Sequence, residues 1–410
     1  MKLHIGIAGP IATEHVADFL TGDTSGMPEG YTGAPLTGVL IGELLKLGHK
    51  VSAFTTDSSI YPNSGVVKAS GPNFDYYICP ARPRAWRLNK HRLGRALDGF
   101  AYETEQILIA INRAKPDIIH AHWTYEFAQA AIKTGIPHLI TCHDAPAVVL
   151  RYTRSLYRAI RYLMARAVFN KGKHYTAVSP YMAKAVQHYT PVPITIVPNP
   201  LADFVLASGR VRHMPTTKRI GMICNGWDDL KNPKPSLQAF AKLHGNQPTS
   251  ELHLFGSGFG LGEPAQQWCN KQNLTTGMVF HGAIPHKQLI EQLNGLDLLL
   301  HPSLEESFGV VIAEAMALGL PIVAGRHSGA VPWVVGIDDI TDNCCSAMLT
   351  DVSNPSAILS AMEVAFDQHY PERSISGYVR ARQMFSLGVI AEAYTELYRQ
   401  VLSADSKSIF

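Results

Sequence analysis

The stretch His301-Pro-Ser-Leu-Glu-Glu-Ser-Phe-Gly-Val-Val-Ile-Ala-Glu-Ala-Met-Ala-Leu-Gly-Leu-Pro321 concentrates residue types that do chemistry. Glu305 and Glu306 sit in a loop after an apolar strand, and Ser307-Phe308-Gly309 leads into a helix. Gly309 lets backbone approach a ligand closely. The free N–H groups of the first helical turn, aided by the helix dipole, suit an anion such as phosphate. Glu314 lies in the second turn, between Ile312, Ala313, Ala315 and Met316. A lone buried charge is costly, so a polar partner is expected there. A carboxylate accepts two hydrogen bonds from a vicinal diol, the group a ribose or pyranose presents. For Glu306 a plain helix cap is the alternative.

These residues need elements to hold them. Short β-rich runs alternate with helical patterns along the whole chain. Leu3–Ala8, Lys50–Thr55, Asp117–Ala121, His138–Cys142, His174–Val178 and Thr195–Val197 read as strands of the first half. Arg219–Cys224, Glu251–Phe255, Val279–His281, Leu298–Leu300, Pro321–Val323 and Ala347–Leu349 repeat the scheme. Near-continuous Ile/Val/Leu strands separated by helices predict α/β architecture with parallel sheets covered on both faces. Two doubly wound, Rossmann-like domains facing a central cleft follow, with ligands at the carboxyl ends of strands. The expected boundaries are 1–205 and 216–385.

Length and composition agree. The chain has 410 residues, 46% hydrophobic and 17% charged, which excludes disorder, coiled coil and collagen. Net charge is +3, yet residues 1–200 carry 21 Lys/Arg against 13 Asp/Glu, so the front half is basic. Six cysteines without metal-finger spacing read as reduced, buried small hydrophobes. The most apolar window, Val310 to Ala324, holds Glu314 and is too short to span a bilayer. Met1–Gly9 has no signal-like stretch. A cytoplasmic protein is expected.

Glu306-x7-Glu314 with its Phe308-Gly309, the flanking His301-Pro-Ser, Gly319-Leu-Pro and Ser328-Gly-Ala-Val-Pro resemble the signature of retaining GT-B glycosyltransferases of family 4. Gly33-Ala34, Leu47-Gly48-His49, Pro116-Asp117-Ile-Ile-His-Ala-His122 and Thr141-Cys142-His143-Asp144 extend the resemblance into the first half, and the tail from Phe385-Ser386 to Tyr394 and Tyr398 resembles the family's final helix, which implies that 386–410 returns to the first domain. It implies transfer of a sugar from a nucleotide diphosphate sugar, a UDP-sugar favoured over a GDP-sugar, to a hydroxyl of a sugar, lipid-linked or glycoconjugate acceptor. Neither a cofactor nor a metal is implied. Glu314 then holds the ribose, while Glu306, Phe308 and Gly309 meet the donor sugar, and the amides of Val310 and Val311 meet the phosphates. Lys231 matches the family's diphosphate lysine. The family's arginine is missing: Asn225 or Gly226 stands in its place, and Arg326 is the substitute considered. Ile284 joins the donor side. Gly33 and Ala34 match the glycine-rich loop of the acceptor domain. His143 matches the histidine at the transferred sugar, with Asp144 expected to orient it.

Other readings stay open beside this one. A nucleotide-sugar epimerase and a non-catalytic, donor-binding subunit are the rivals. His120, His122 and Asp117 invite a metal, but alternate residues on a strand mark one face of it. Residues 145–200 carry eight Lys/Arg and no acid. On a helix there, Arg154, Arg158 and Arg161 are expected on one face and Leu156, Ile160, Leu163 and Ala167 on the other. That pattern reads either as a solvated amphipathic helix or as a surface for an anionic membrane carrying a lipid-linked acceptor. No nucleic-acid-binding motif accompanies the charge.

Overall fold

The apolar runs become strands within two residues of their expected positions. The computed structural model describes residues 2–33, 35–61, 64–337 and 346–407; Ala34, Cys344 and Cys345 lie outside them. The chain divides into two compact units, Met1–Pro200 with Leu387–Phe410, and Leu201–Ser386.

The first unit is built on β1 (His4–Ala8), β2 (Lys50–Asp57), β3 (Val67–Gly71), β4 (Phe74–Pro80), β5 (Ile118–His122), β6 (His138–Cys142), β7 (Tyr175–Ala177) and β8 (Ile194–Ile196). Their order across the sheet is β3-β4-β2-β1-β5-β6-β7-β8. All pairs are parallel except β3 with β4, which form an antiparallel hairpin at the edge. The sequence pattern does not mark these two strands, and β3 adds an antiparallel edge to the expected parallel sheet. Asn73, with φ 56°, makes the tight turn, and half-exposed β3 suits an edge position. The terminal helix Leu387–Lys407 belongs to this unit. Its Ile390, Ala391, Tyr394, Tyr398 and Val401 are buried in the core formed by Ile5, Ile7, Leu40 and Val51.

The second unit holds β9 (Arg219–Ile223), β10 (Glu251–Phe255), β11 (Met278–Gly282), β12 (Leu298–His301), β13 (Ile322–Gly325) and β14 (Ala347–Thr350). Their order, β11-β10-β9-β12-β13-β14, reads 3-2-1-4-5-6 within the unit, the doubly wound arrangement. Between β9 and β12 the winding reverses, so the loops leaving those two strands part and leave a crevice. The polar stretch after Leu201 docks on this unit. Its anchor is the buried Arg212, whose guanidinium donates to the carbonyls of Leu318 at 3.0 Å, Leu296 at 2.7 Å and Asn294 at 3.1 Å. A lone buried cation is thereby given acceptors on two loops.

Candidate active site

In the second unit the loop after β12 is tied down before it reaches Gly309. Leu304 N–H donates to the Leu230 carbonyl at 2.8 Å, Ser328 Oγ donates to the Ser303 carbonyl at 2.6 Å, and Ala330 N–H donates to the Glu306 carbonyl at 2.9 Å. Gly309 adopts φ 87°, where a side chain is strained, and opens the helix Val310–Ala317. The Phe308 side chain is buried against Phe385 and Trp333, with ring centroids 5.2 and 6.4 Å away. Phe308 therefore anchors the turn, and what it offers a ligand is backbone. Val310 and Val311 supply the first N–H groups of the helix.

Lys231, after β9, reaches across to Glu306, with Nζ 2.8 Å from Oε1. His301 Nε2 lies 3.2 Å from the same oxygen. Burial pushes the Glu306 carboxyl up, but the contacts with His301 and Lys231 outweigh it and bring it to about 2. Burial would lower the Lys231 ammonium, and the Glu306 charge holds it above its usual range. The pair is therefore ionised at neutral pH and stands at the reversal between β9 and β12. His301 Nδ1 is buried without a partner.

Glu314 is 4% exposed and has the polar partner that its apolar surroundings demand. His286 Nε2 sits 2.6 Å from its Oε1, and this hydrogen bond raises the His286 pKa above its ordinary value. Ile284, half-buried, lies two residues earlier, in the loop after β11. Sequence reasoning missed both histidines. His301 was within reach, in the His-Pro-Ser motif. His286 gave no signal, because only the approach of the helix it opens, His286–Asn294, to the helix Val310–Ala317 pairs it with Glu314.

At one of the two places where the missing arginine would stand, Gly226, the backbone takes a conformation that side chains rarely adopt. Gly226 has φ 113°, and a Cβ there would lie 2.9 Å from Asp228 Oδ2. Asn225 is exposed, and its side-chain oxygen faces Ser257 N–H at 3.4 Å. Arg326 follows β13, and its Nη2 donates to the Leu349 carbonyl of β14 at 3.2 Å. Its guanidinium thus points along the sheet toward β14, whereas Lys231 leaves β9, on the far side of β12 and β13.

In the first unit the equivalent reversal lies between β1 and β5. Gly33, at φ 91°, is exposed, with open space where a Cβ would sit. In the same unit, β5 and the end of β6 bring together a stack of imidazoles. His143 Nε2 lies 2.9 Å from His122 Nδ1, and the His122 and His120 rings are 4.2 Å apart. His120 is held by Tyr398 Oη at 2.7 Å and Thr141 Oγ1 at 2.6 Å. Burial lowers His143 to about 4 and His120 to about 3, and holds His122 well below its usual value. Asp144 does not orient His143, contrary to expectation. Its Oδ2 accepts from Tyr125 Oη at 2.8 Å, and His122 takes the positioning role. Asp117 accepts from His4 N–H at 2.7 Å, and no metal-binding group of three ligands forms among the described residues. Trp123, next to His122, adopts φ 71°, an outlier that costs about 1–3 kcal/mol for a bulky residue.

The basic helix also needs correction. Leu156–Phe169 exposes Leu156 (69%) and Leu163 (64%) and buries Arg161, whose Nη1 pairs with Glu126 Oε2 at 2.5 Å. Arg154 caps the preceding helix instead. The expected charged and apolar faces are thus partly inverted, because Glu126 on a neighbouring helix draws Arg161 inward.

Two family models match the chain. Glycosyltransferase Family 4 covers residues 37–202, and Glycosyl transferases group 1 covers residues 215–369. The D-inositol 3-phosphate glycosyltransferase of Corynebacterium efficiens is 25% identical over 88% of this chain and 89% of its own length. The enzyme of that name from Corynebacterium jeikeium is 28% identical, but the match spans only 44% of its length. Among solved structures, sucrose-phosphate synthase from Thermosynechococcus elongatus superimposes with a TM-score of 0.74 at 18% identity, over 98% of this chain and 100% of that one. Anabaena Alr3699/HepE in complex with UDP-glucose does so with 0.64 at 16% identity, over 97% and 100%.

Proposed function

We propose a reaction from the premise that this chain belongs to the GT-B glycosyltransferases of family 4 and is an enzyme. It moves a sugar from a nucleotide diphosphate sugar, in our reading a UDP-sugar, to an acceptor hydroxyl with retention of anomeric configuration. The observation that carries this reading is the Lys231–Glu306 pair beside the open helix start at Val310, with Glu314 buried one turn further on. A UDP-glucose complex of HepE, which shares the fold, supports the donor class.

Each group then has a task. Glu314 accepts hydrogen bonds from the ribose diol, sharing its carboxylate with His286. Glu306 and the backbone at Gly309 take hydroxyls of the donor sugar. The N–H groups of Val310 and Val311 with Lys231 meet the diphosphate, and their charge stabilises it as it leaves. The bond from the sugar C1 to the β-phosphate oxygen breaks, and the acceptor oxygen bonds to C1 on the same face. The acceptor proton passes to the departing phosphate oxygen. His143, neutral at physiological pH and braced by His122, hydrogen-bonds the transferred sugar. In this reading no metal takes part, because Lys231 and the helix start supply the countercharge.

The acceptor belongs to the first unit. Exposed Leu156 and Leu163 stand in an acid-free, basic stretch, and Trp86, Leu88, Leu93 and Leu97 are exposed in another. Apolar side chains among cations favour an anionic membrane surface, and hence a lipid-linked or glycoconjugate acceptor. No described helix is long and apolar enough to cross a membrane. The test is turnover of a panel of nucleotide sugars by purified protein, with product configuration read by NMR. Inverted product, or no turnover of any donor bound, would defeat the reading.

A further inference from the structure

One lysine stands between two anions in the second unit. The ammonium of Lys231 is paired with Glu306, Nζ to Oε1 at 2.8 Å, yet a diphosphate at the helix start draws on the same charge. Lys231 sits on a flexible four-carbon stem, its side chain a quarter exposed, and can swing away. Glu306 cannot follow. Its side chain is only 17% exposed, its own carbonyl accepts from Ala330 N–H at 2.9 Å, and its loop is held to Leu230 and Ser328. A carboxylate left there without a partner is costly.

His301 is placed to meet that cost. It is the buried last residue of β12, and its Nε2 lies 3.2 Å from the oxygen that Lys231 also holds. An ionised carboxylate only accepts, so the N–H of this contact is on Nε2 and Nδ1 carries the lone pair. Nδ1 is closed in and has no partner. The one hydrogen bond of the imidazole among the described residues is therefore the bond to Glu306, and no other group in the fold calls for a histidine at this position. Both contacts fall on Oε1, and among the described residues Oε2 of Glu306 has no partner, so it can accept from a sugar hydroxyl.

We propose that Lys231 hands Glu306 over to His301 when a nucleoside diphosphate binds. Lys231 Nζ moves to the phosphate oxygens, and His301, fixed at the end of β12, keeps the carboxylate paired and aimed at the donor sugar. His301 is thus a positioning residue that acts through Glu306. The inference rests on the nucleotide diphosphate sugar reading and adds to it how one lysine serves two groups in turn.

The experiment is calorimetry with uridine, which offers Lys231 no phosphate, and with UDP. The proteins are the wild type, His301→Leu, His301→Gln, Glu306→Gln and the double variant His301→Leu/Glu306→Gln. Leucine is close in size to histidine and continues a strand of leucines, and uridine binding reports that the variant is folded; if it is not, His301→Met carries the same comparison. His301→Leu should bind uridine as the wild type does but lose about tenfold or more in UDP affinity, because Lys231 must then leave a buried carboxylate with no replacement. His301→Gln keeps an N–H donor and should restore part of the loss. In Glu306→Gln there is no charge to hand over, so adding His301→Leu should weaken UDP binding no further. A role confined to folding would weaken uridine and UDP alike and would persist in the Glu306→Gln background. An unchanged preference for UDP over uridine in His301→Leu, or the same loss with and without Glu306→Gln, overturns the handover while leaving glycosyl transfer standing. A wild type that binds UDP no better than uridine defeats the donor reading, and the handover falls with it.

Discussion

Acid should loosen the first unit through its imidazole stack. Burial lowers His143 to about 4 and His120 to about 3, from an ordinary value near 6.5. A histidine whose folded pKa lies below its unfolded one contributes stability that is complete above the unfolded value. That stability is lost as pH falls, because only the unfolded chain takes up the proton. At pH 5 both folded values still lie lower, so the loss depends on the unfolded value alone. The gap of about 1.5 pH units at 1.36 kcal/mol per unit gives about 2 kcal/mol for each ring. The two rings together lose about 4 kcal/mol between pH 7.5 and 5, against a total of about 5–15 kcal/mol for a typical domain. His122 acts in the same direction. Urea unfolding of the wild type and of His120→Asn/His143→Asn, followed by hydrogen exchange in peptides covering β5 and β6, isolates this contribution from other titrating groups. The wild type should lose about 4 kcal/mol more than the variant across that pH range. Parallel losses would show that the rings are not held neutral, and the reasoning from burial would be wrong.

The donor site yields three further expectations, and the exposed helix a fourth. Glu314→Ala should weaken UDP binding by about 10- to 100-fold in calorimetry, the worth of a charged acceptor for the ribose diol; unchanged affinity refutes the ribose assignment. Glu306→Gln should leave UDP affinity nearly intact while donor turnover collapses, and equal losses for UDP and UDP-sugar would contradict its place at the sugar. Turnover should survive EDTA, since Lys231 and the helix start meet the diphosphate; activity lost in chelator and restored by a divalent ion would sink this. Leu156→Ser with Leu163→Ser should weaken binding to anionic vesicles by about tenfold for each leucine inserted, with equal sedimentation of variant and wild type as the contrary result.

Much of this molecule is local, and local features are legible in a sequence. Glu251–Phe255, Pro264–Lys271 and His286–Asn294 form with the bounds that apolar runs, prolines and glycines dictate. The loop from His301 to Gly309 and the buried Glu314 were visible for the same reason: a glycine before a helix and a charge amid apolar neighbours are neighbours along the chain. What the chain order hides is which side chain answers another across the fold. His286 meets Glu314 over 28 residues, His122 rather than Asp144 meets His143, and Glu126 draws Arg161 inward across 35 residues. Helical periodicity puts Arg161 on a charged face opposite Leu156 and Leu163, but a buried ion pair turns Arg161 inward and leaves both leucines exposed. A strand or a helix start is set by propensity within a few residues. The partner of a buried charge is set by which loops the sheet order brings together, and that is decided only when the core has formed.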